Sequence, residues 1–286
     1  MHRLIRLLPL LLVTAVLAAG EREVREIRIA AIPDADPTAL LATFAPLSAY
    51  LSAAVGLPVR FIPVTRYELV VEALVGRQLE LAWLGGYTSV QAVRQSQGNV
   101  ERIAMRAEDA RFATVFIAGT GTGITSMEEL EGRTFAFGAQ ASTSGHLMPR
   151  YFLVERGLTP EQLFARMIFS GAHDKTAALV ESGAVEAGAL SQLTWKRLVA
   201  TGAIDQSKVT VVWTTPEYVD YCWATRKDLP EDLRSRLSAA LLALDPAIPA
   251  HRALLDAHGT SRYVVAQDAQ WTGIAAAAQA AGMLGE

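Results

Sequence analysis

The densest cluster of side chains that could bind a ligand is a run of three hydroxyls, Ser142, Thr143 and Ser144, followed directly by Gly145. Because proline is tolerated only in the first turn of a helix, Pro149 predicts that the next helix begins near residue 144 or 145. Free amides and the positive end of the helix dipole would then face the same point as the hydroxyls. Ordinary capping needs only one such side chain. The run therefore favours an anion-binding loop.

Two other polar loops also precede predicted helices. The loop 170–174 contains His173, which could donate to an anion or serve only as a surface residue. A Gly-Gly pair at 85–86 would let the backbone approach a ligand, and Tyr87 and Thr88 follow it with hydroxyls that could donate. A tight turn with a packed tyrosine is the alternative for this last loop.

These loops are positioned by apolar strands that alternate with helices of about ten residues. The alternation predicts an α/β fold built from βαβ units with a largely parallel sheet, in which ligands bind at the carboxyl ends of the strands. Asp36 is predicted to cap the helix that begins at Pro37, and Asp34 to lie at the rim of the pocket. Two short crossovers, near residues 119 and 216, would fit a middle domain inserted into the first.

The N-terminus has the pattern of a secretory signal. Arg3 and Arg6 precede an apolar run from residue 7 to 17, and small residues follow at 18–20. The run is short for a membrane span of about 20 residues, although a retained anchor is the alternative. Without residues 1–20 the formal charge falls from −3 to −5, from 24 basic and 29 acidic residues. The signal pattern predicts a periplasmic location. An acidic chain lacks the basic footprint of nucleic-acid binding, so no nucleic-acid partner is expected.

The sequence lacks the residue patterns of disulfide bonding, metal binding, nucleotide binding and serine hydrolysis. Cys222 is the only cysteine, which excludes an intrachain disulfide and a site with several thiolates. No pair of histidines has metal-ligand spacing, and no nucleotide-binding glycine motif is present. Ser142, His173 and Asp220 invite a serine-hydrolase hypothesis, but the G-x-S-x-G pattern is missing. We predict no cofactor, no metal and no catalytic residue.

Three motifs, in this order and spacing, resemble the phosphate/phosphite/phosphonate-binding receptors of ABC importers: Ser142–Gly145, Ser170–His173 and Trp213–Pro216. The segments Trp83–Gly86 and Phe135–Gly138 resemble a subgroup labelled as selenate receptors. The resemblance covers roughly residues 27 to 282. It implies a two-lobed periplasmic binding protein fold of type II, with two α/β domains that close on a small oxyanion, and a membrane permease as partner.

With the two crossovers, this resemblance predicts a discontinuous lobe 1 (21–118 and 219–286) and an inserted lobe 2 (119–218). It also implies roles for the candidate site residues. In such receptors the hydroxyl run binds ligand oxygens, a histidine after the next strand also binds, and the Gly-Gly turn supplies an aromatic or hydroxyl group. The matching residues are Ser142, Thr143, Ser144, His173, and Tyr87 or Thr88.

An acid after the Trp-x-x-Pro segment accepts a proton from the ligand in phosphite and phosphonate relatives. Asp220 is the nearest match, and a shift in register would bring Tyr218 or Tyr221 there instead. Since a carboxylate tolerates an oxyanion only when a proton is shared, Asp220 predicts a protonated ligand. Aminophosphonate receptors carry a second acid where this chain has Ser191 and Gln192. That departure favours a small bare oxyanion.

Two alternatives come from other functional classes. A secreted sensor that signals to a membrane histidine kinase would share the fold, and arsenite is one anion that relatives of this family sense. Trivalent arsenic prefers thiolates, so this hypothesis depends on Cys222. The serine-hydrolase hypothesis depends on Ser142 as nucleophile.

Overall fold

The computed structural model describes residues 24–284, so the predicted signal segment lies outside the described residues. The strands are β1 (Ile27–Ala31), β2 (Val59–Phe61), β3 (Leu81–Leu84), β4 (Val100–Arg106), β5 (Thr114–Gly119), β6 (Thr134–Phe137), β7 (Arg166–Phe169), β8 (Ala187–Ser191), β9 (Val209–Thr214), β10 (Cys222–Arg226) and β11 (Tyr263–Val264). The α-helices are α1 (Pro37–Val55), α2 (Tyr67–Val75), α3 (Gly86–Gln95), α4 (Met148–Val154), α5 (Pro160–Leu163), α6 (His173–Glu181), α7 (Gln192–Ala200), α8 (Glu231–Leu242), α9 (Pro249–Ala257) and α10 (Thr272–Ala280).

The strands form two sheets, one in each lobe. The order is β11-β4-β10-β3-β1-β2 in lobe 1 and β7-β6-β8-β5-β9 in lobe 2. The prediction of a largely parallel sheet is wrong, because β10 runs antiparallel to β3 and β4, and β5 runs antiparallel to β8 and β9. These are the strands next to the crossovers, where the chain enters or re-enters a sheet. The parallel pairs, such as β1 with β3 and β6 with β8, follow helical connections as predicted.

Helix α1 shows how local sequence fixes an element. The Asp36 carboxylate accepts hydrogen bonds from the amides of Thr38 (2.8 Å) and Ala39 (3.4 Å), and Pro37 opens the helix as predicted. Gly56 ends it with a left-handed φ of 70°. By length and composition α1 could pass for a membrane span, but Phe44 and Leu47 are buried in the core of lobe 1.

The two crossovers lie side by side between the lobes. The first is residues 107–113 and the second residues 215–221, and reciprocal backbone hydrogen bonds of 2.8 and 2.9 Å pair Phe112 with Tyr218. The predicted first boundary, after residue 118, is wrong: β5 hydrogen-bonds within the sheet of lobe 2. The glycine-rich stretch at 119–123 is a turn inside that lobe. The second predicted crossover, near residue 216, falls within the segment 215–221, and the lobe bounds drawn from it stay a prediction.

Candidate oxyanion-binding site

The hydroxyl loop follows β6 and opens a continuous helix. Residues Thr143–Leu147 form a π-helical turn that continues into α4, and Ser142 precedes it with its Oγ accepting the Gly145 amide at 3.0 Å. A side chain at position 145 would fall 2.9 Å from Ser142 Oγ and 3.1 Å from His173 Cε1. Glycine is therefore required for the loop to close against His173. Ser142, Thr143 and Ser144 are all buried.

His173 is the first residue of α6 and lies against this loop. Its Nδ1 accepts the Ser191 amide at 3.4 Å, so the neutral ring carries its proton on Nε2, which lies 3.5 Å from Ser144 Oγ. Burial, with a smaller effect of the Arg197 charge, lowers the pKa of His173 to about 4. The imidazole is therefore a neutral donor at physiological pH, with its N–H on the side of the hydroxyl loop.

Asp220 faces the loop from the second crossover. Its Oδ1 accepts the Gly86 amide at 2.7 Å, while its buried Oδ2 has no hydrogen-bond partner within residues 24–284. Burial raises the pKa of Asp220 to about 7, against the lowering effects of the Gly86 amide and the neighbouring Thr143 hydroxyl. A buried carboxylate with one free oxygen is costly to keep ionised. It is suited to share a proton with a ligand.

The two lobes meet at the Gly-Gly turn. Thr143 Oγ1, from lobe 2, accepts the Tyr87 amide of lobe 1 at 2.9 Å. A side chain on Gly85 would fall 3.1 Å from that oxygen and 3.4 Å from Asp220 Oδ1. The backbone of this turn therefore lies against Thr143 and Asp220, with two of its amides bonded to their side chains. The predicted approach of this backbone to a ligand stays a prediction.

Tyr218 ties the second crossover to lobe 2. Thr114 Oγ1 donates to the Ser144 carbonyl at 2.9 Å, so the Tyr218 hydroxyl is the donor in its 2.6 Å contact with Thr114. Tyr221 points elsewhere: its hydroxyl donates to Asp34 Oδ2 at 2.8 Å. Of the three registers that the sequence left open, the structure places the carboxyl of Asp220 beside the hydroxyl loop. The Tyr218 hydroxyl also borders this loop, next to Ser144, whereas Tyr221 is directed to Asp34.

The side chains of Tyr87 and Thr88 are not brought to the site. The Tyr87 hydroxyl donates to the Met283 carbonyl at 2.6 Å, and the Thr88 hydroxyl donates back to the Gly85 carbonyl at 3.0 Å. Only the backbone amide of Tyr87 faces Thr143. The sequence predicted a hydroxyl donor from this turn, and the structure offers amides instead.

Tyr67 is a site residue that the sequence analysis missed. It begins α2, is 2% exposed, and its hydroxyl lies beside Ser142 without a well-formed hydrogen bond among the described residues. Burial raises its pKa well above the usual value, and the nearby acids Asp34 and Asp220 add to the rise. A neutral phenol with a free proton is a further donor. The available signal was its position at the start of a helix, at the end of the loop that follows β2.

A cavity of about 450 Å³ lies between the lobes next to this site. Asp34, Tyr221 and Trp83 line it from lobe 1, and Ser191 and Arg197 from lobe 2. Ser191 also holds His173, so the cavity and the hydroxyl loop share a wall. Asp34, predicted at the pocket rim, lines this cavity from the side of lobe 1.

The structure does not provide the geometry that the serine-hydrolase and arsenite-sensor hypotheses require. Ser142 caps Gly145 while His173 lies near Ser144, and the acceptor nitrogen of His173 receives an amide instead of facing an acid. The Ser142–His173–Asp220 relay is therefore not assembled. Cys222 is fully buried in the lobe 1 sheet, and burial raises the pKa of its thiol to about 12. It offers arsenite no thiolate.

A family model described as ABC transporter, phosphonate, periplasmic substrate-binding protein matches residues 29–271. The chain belongs to this family. The predicted two-lobed binding protein fold is confirmed, the main prediction of a solute-binding protein of an ABC importer is supported, and the sensor alternative is not.

Individual relatives place the chain within the family. A probable ABC transporter phosphite binding protein, PhnD1 of Prochlorococcus marinus (strain MIT 9301), is 34% identical over 259 residues, which is 87% of each chain. The 1.52 Å structure of that PhnD1 with methylphosphonate superposes with a TM-score of 0.87 at 33% identity, covering 91% of this chain and 99% of that one. The phosphate-import protein PhnD of Mycolicibacterium smegmatis is 25% identical over 222 residues, covering 74% of this chain and 69% of its own.

Proposed function

We propose that this protein captures a small phosphorus oxyanion that carries one proton, of the phosphite or methylphosphonate kind, and delivers it to the membrane permease of an ABC importer. The observation that carries the proposal is the buried carboxyl of Asp220, which lies beside the Thr143 hydroxyl and whose Oδ2 has no hydrogen-bond partner among residues 24–284. Only a ligand that brings a proton, or meets one on Asp220, avoids two adjacent negative charges there.

The remaining groups supply donors to the ligand's other oxygens. Ser144, His173 Nε2 and Tyr67 are neutral and buried, and the start of the helix after Ser142 adds amides. No lysine or arginine is among the residues assigned to the anion. Recognition through neutral donors in a dry site favours ligands of matched shape over any anion of the right charge.

The relatives support this ligand class. PhnD1 is named as a phosphite binding protein and its structure was solved with methylphosphonate, and a second relative is named for phosphate import. Sulfate and selenate have the same shape but bring no proton near neutral pH. The N-terminal signal pattern and the family description support action in the periplasm. A cleaved signal at residues 1–20 belongs to the same proposal.

The test is calorimetric titration of the protein from residue 21 onward with phosphite, methylphosphonate, phosphate, sulfate, selenate and arsenite. Wild type should bind a protonated phosphorus oxyanion most tightly. Asp220→Asn should lower the phosphite-to-sulfate affinity ratio by roughly 100-fold, since it removes both the proton acceptor and the repulsion of sulfate. Asp174→Asn makes the same chemical change beside His173 and should leave the ratio within about twofold.

Two results would contradict the proposal. Tight selenate or sulfate binding by wild type at pH 8 without proton uptake would show that a shared proton is not required. An unchanged ratio in Asp220→Asn would remove Asp220 from ligand recognition.

A further inference from the structure

Arg106 lies near the site but is committed elsewhere. Its Nε and Nη2 both donate to the Asp109 carboxylate at 2.7 Å, and its Nη1 donates to the His258 carbonyl at 2.9 Å. Its guanidinium carbon lies 5.1 Å from the ring centre of Trp83 and 4.9 Å from that of Tyr221. An arginine beside an anion site would ordinarily bind the anion. Here each of its three nitrogens already donates within the chain, and the stacked rings of Trp83 and Tyr221 pack against it.

Asp109 connects this arginine to the ligand-binding carboxyl. It lies in the first crossover, its side chain is 0% exposed, and its backbone carbonyl accepts the Asp220 amide at 3.0 Å. The backbone carbonyl of Asp220 is held as well, since it accepts a hydrogen bond from Trp271 Nε1 at 3.0 Å. Both backbone groups of Asp220 are therefore fixed, one of them by the residue that holds Arg106.

Of the groups that act on the Asp220 carboxyl, most are neutral. Burial raises the pKa values of Tyr67, Tyr218, Tyr221 and Cys222, so these side chains stay protonated. Asp34 accepts a hydrogen bond from Tyr221 and is not among the main groups that shift the pKa of Asp220. The charges acting most strongly are those of Asp109, which raises the pKa of Asp220, and Arg106, which lowers it.

We propose that Arg106 and Asp109 are positioning residues for ligand recognition: the pair fixes the Asp220 carboxylate opposite the hydroxyl loop and sets its demand for a shared proton. They act through Asp220, so the consequence for ligand choice rests on the proposed function. The effect on the Asp220 carboxyl itself does not depend on which oxyanion is bound.

The experiment is a carbon NMR titration of aspartate-labelled protein without ligand, with the Asp220 signal assigned by its loss in Asp220→Asn. Asp109→Asn should move the Asp220 midpoint to lower pH, and Arg106→Gln should move it to higher pH, each by about one pH unit. If the pair had only a structural role, the two variants would shift the Asp220 midpoint in the same direction or not at all. Glu80→Gln is the matched control, since Glu80 forms a two-bond pair with Arg28 away from the crossovers (3.0 and 2.7 Å), and it should leave the midpoint in place.

Arg106→Lys serves if a single charge removal prevents folding. Lysine keeps the charge but cannot bond Asp109 and His258 through a planar fork, so the phosphite-to-sulfate ratio should fall about tenfold. A ratio equal to that of wild type would overturn the proposal, as would midpoints that fail to move in opposite directions. Opposite movements in a protein that binds no oxyanion would instead refute the proposed function and leave the positioning role standing.

Discussion

The two lobes bring opposite chemistries to one site. Lobe 2 contributes neutral donors, the hydroxyls after Ser142 and the N–H of His173, each placed at the start of a helix. Lobe 1 and its crossover contribute a carboxyl, Asp220, beside the phenol of Tyr67. A ligand that satisfies both must accept hydrogen bonds on most of its surface and donate one. Under the proposed function, this contrast between the lobes fits a protonated oxyanion.

The lobes also differ in how well their groups are satisfied without a ligand. Ser142 and Thr143 already accept amides, whereas Asp220 Oδ2 and the Tyr67 hydroxyl lack partners within the described residues. Unsatisfied buried groups cost stability, and a ligand that pairs with them would favour the arrangement in which the lobes touch. Lobe 1 thus gains most from the ligand.

The largest expected effect is on stability. Asp220→Asn should stabilise the ligand-free protein at pH 8, because ionising a carboxyl whose pKa is raised from 3.8 to about 7 costs up to about 4 kcal/mol. The folded protein binds the extra proton between these values, so wild-type stability from this group is lost as pH rises from 4 to 7. Urea unfolding of both proteins at pH 5 and pH 8 measures the difference. In lobe 2, Ser142→Ala should instead destabilise by about 1 kcal/mol through its lost cap.

An equal stability difference between the two proteins at pH 5 and pH 8 would contradict the contrast. It would mean that Asp220 is as well satisfied as the groups of lobe 2.

The donor side of the comparison is tested at His173. His173→Ala should weaken phosphite and sulfate alike by roughly 30-fold, the loss of one hydrogen bond to a charged ligand. His173→Gln restores an N–H near the Nε2 position and should recover part of that loss. Since the pKa of His173 is about 4, neither change should alter the pH dependence of binding above pH 5.5. Calorimetric titration across pH 5.5 to 8.5 checks this, and a changed phosphite-to-sulfate ratio would show that His173 also selects for the proton.

A smaller effect is expected at Tyr67. Tyr67→Phe should weaken phosphite binding about fivefold while leaving or raising stability, since the hydroxyl has no well-formed hydrogen bond among residues 24–284 to lose. Tyr50→Phe is a suitable control, because that hydroxyl bonds the Ala240 carbonyl away from the site. Unchanged affinity in Tyr67→Phe would remove Tyr67 from the donor set.

Much of the fold and half of the site followed from local sequence. Asp36, Pro37 and Gly56 fixed the ends of α1 because capping is a local interaction. The hydroxyl run was recognisable because several adjacent hydroxyls exceed what one cap requires. As a ligand-binding acid, Asp220 entered only through family resemblance, since one acid in a crossover carries no local signal for that role.

The failures are non-local. The strand β5 was assigned to the wrong lobe because an apolar strand does not show which sheet it pairs with. The glycine-rich turn at 119–123 resembled a linker, while the true crossover at 107–113 is charged and helical in pattern. Tyr67 was missed because its burial depends on the approach of lobe 2. Tyr87 was predicted to contact the ligand, but its hydroxyl donates to the Met283 carbonyl in the C-terminal segment.

The most direct test is the number of protons taken up when phosphite binds at pH 8, from calorimetry in two buffers of different ionisation enthalpy. A phosphoryl group titrates near about pH 6 and Asp220 near about 7, so both are largely deprotonated before binding. The account predicts uptake of about one proton by wild type and almost none by Asp220→Asn. Tight phosphite binding by wild type without proton uptake would contradict the claim that ligand and Asp220 share a proton.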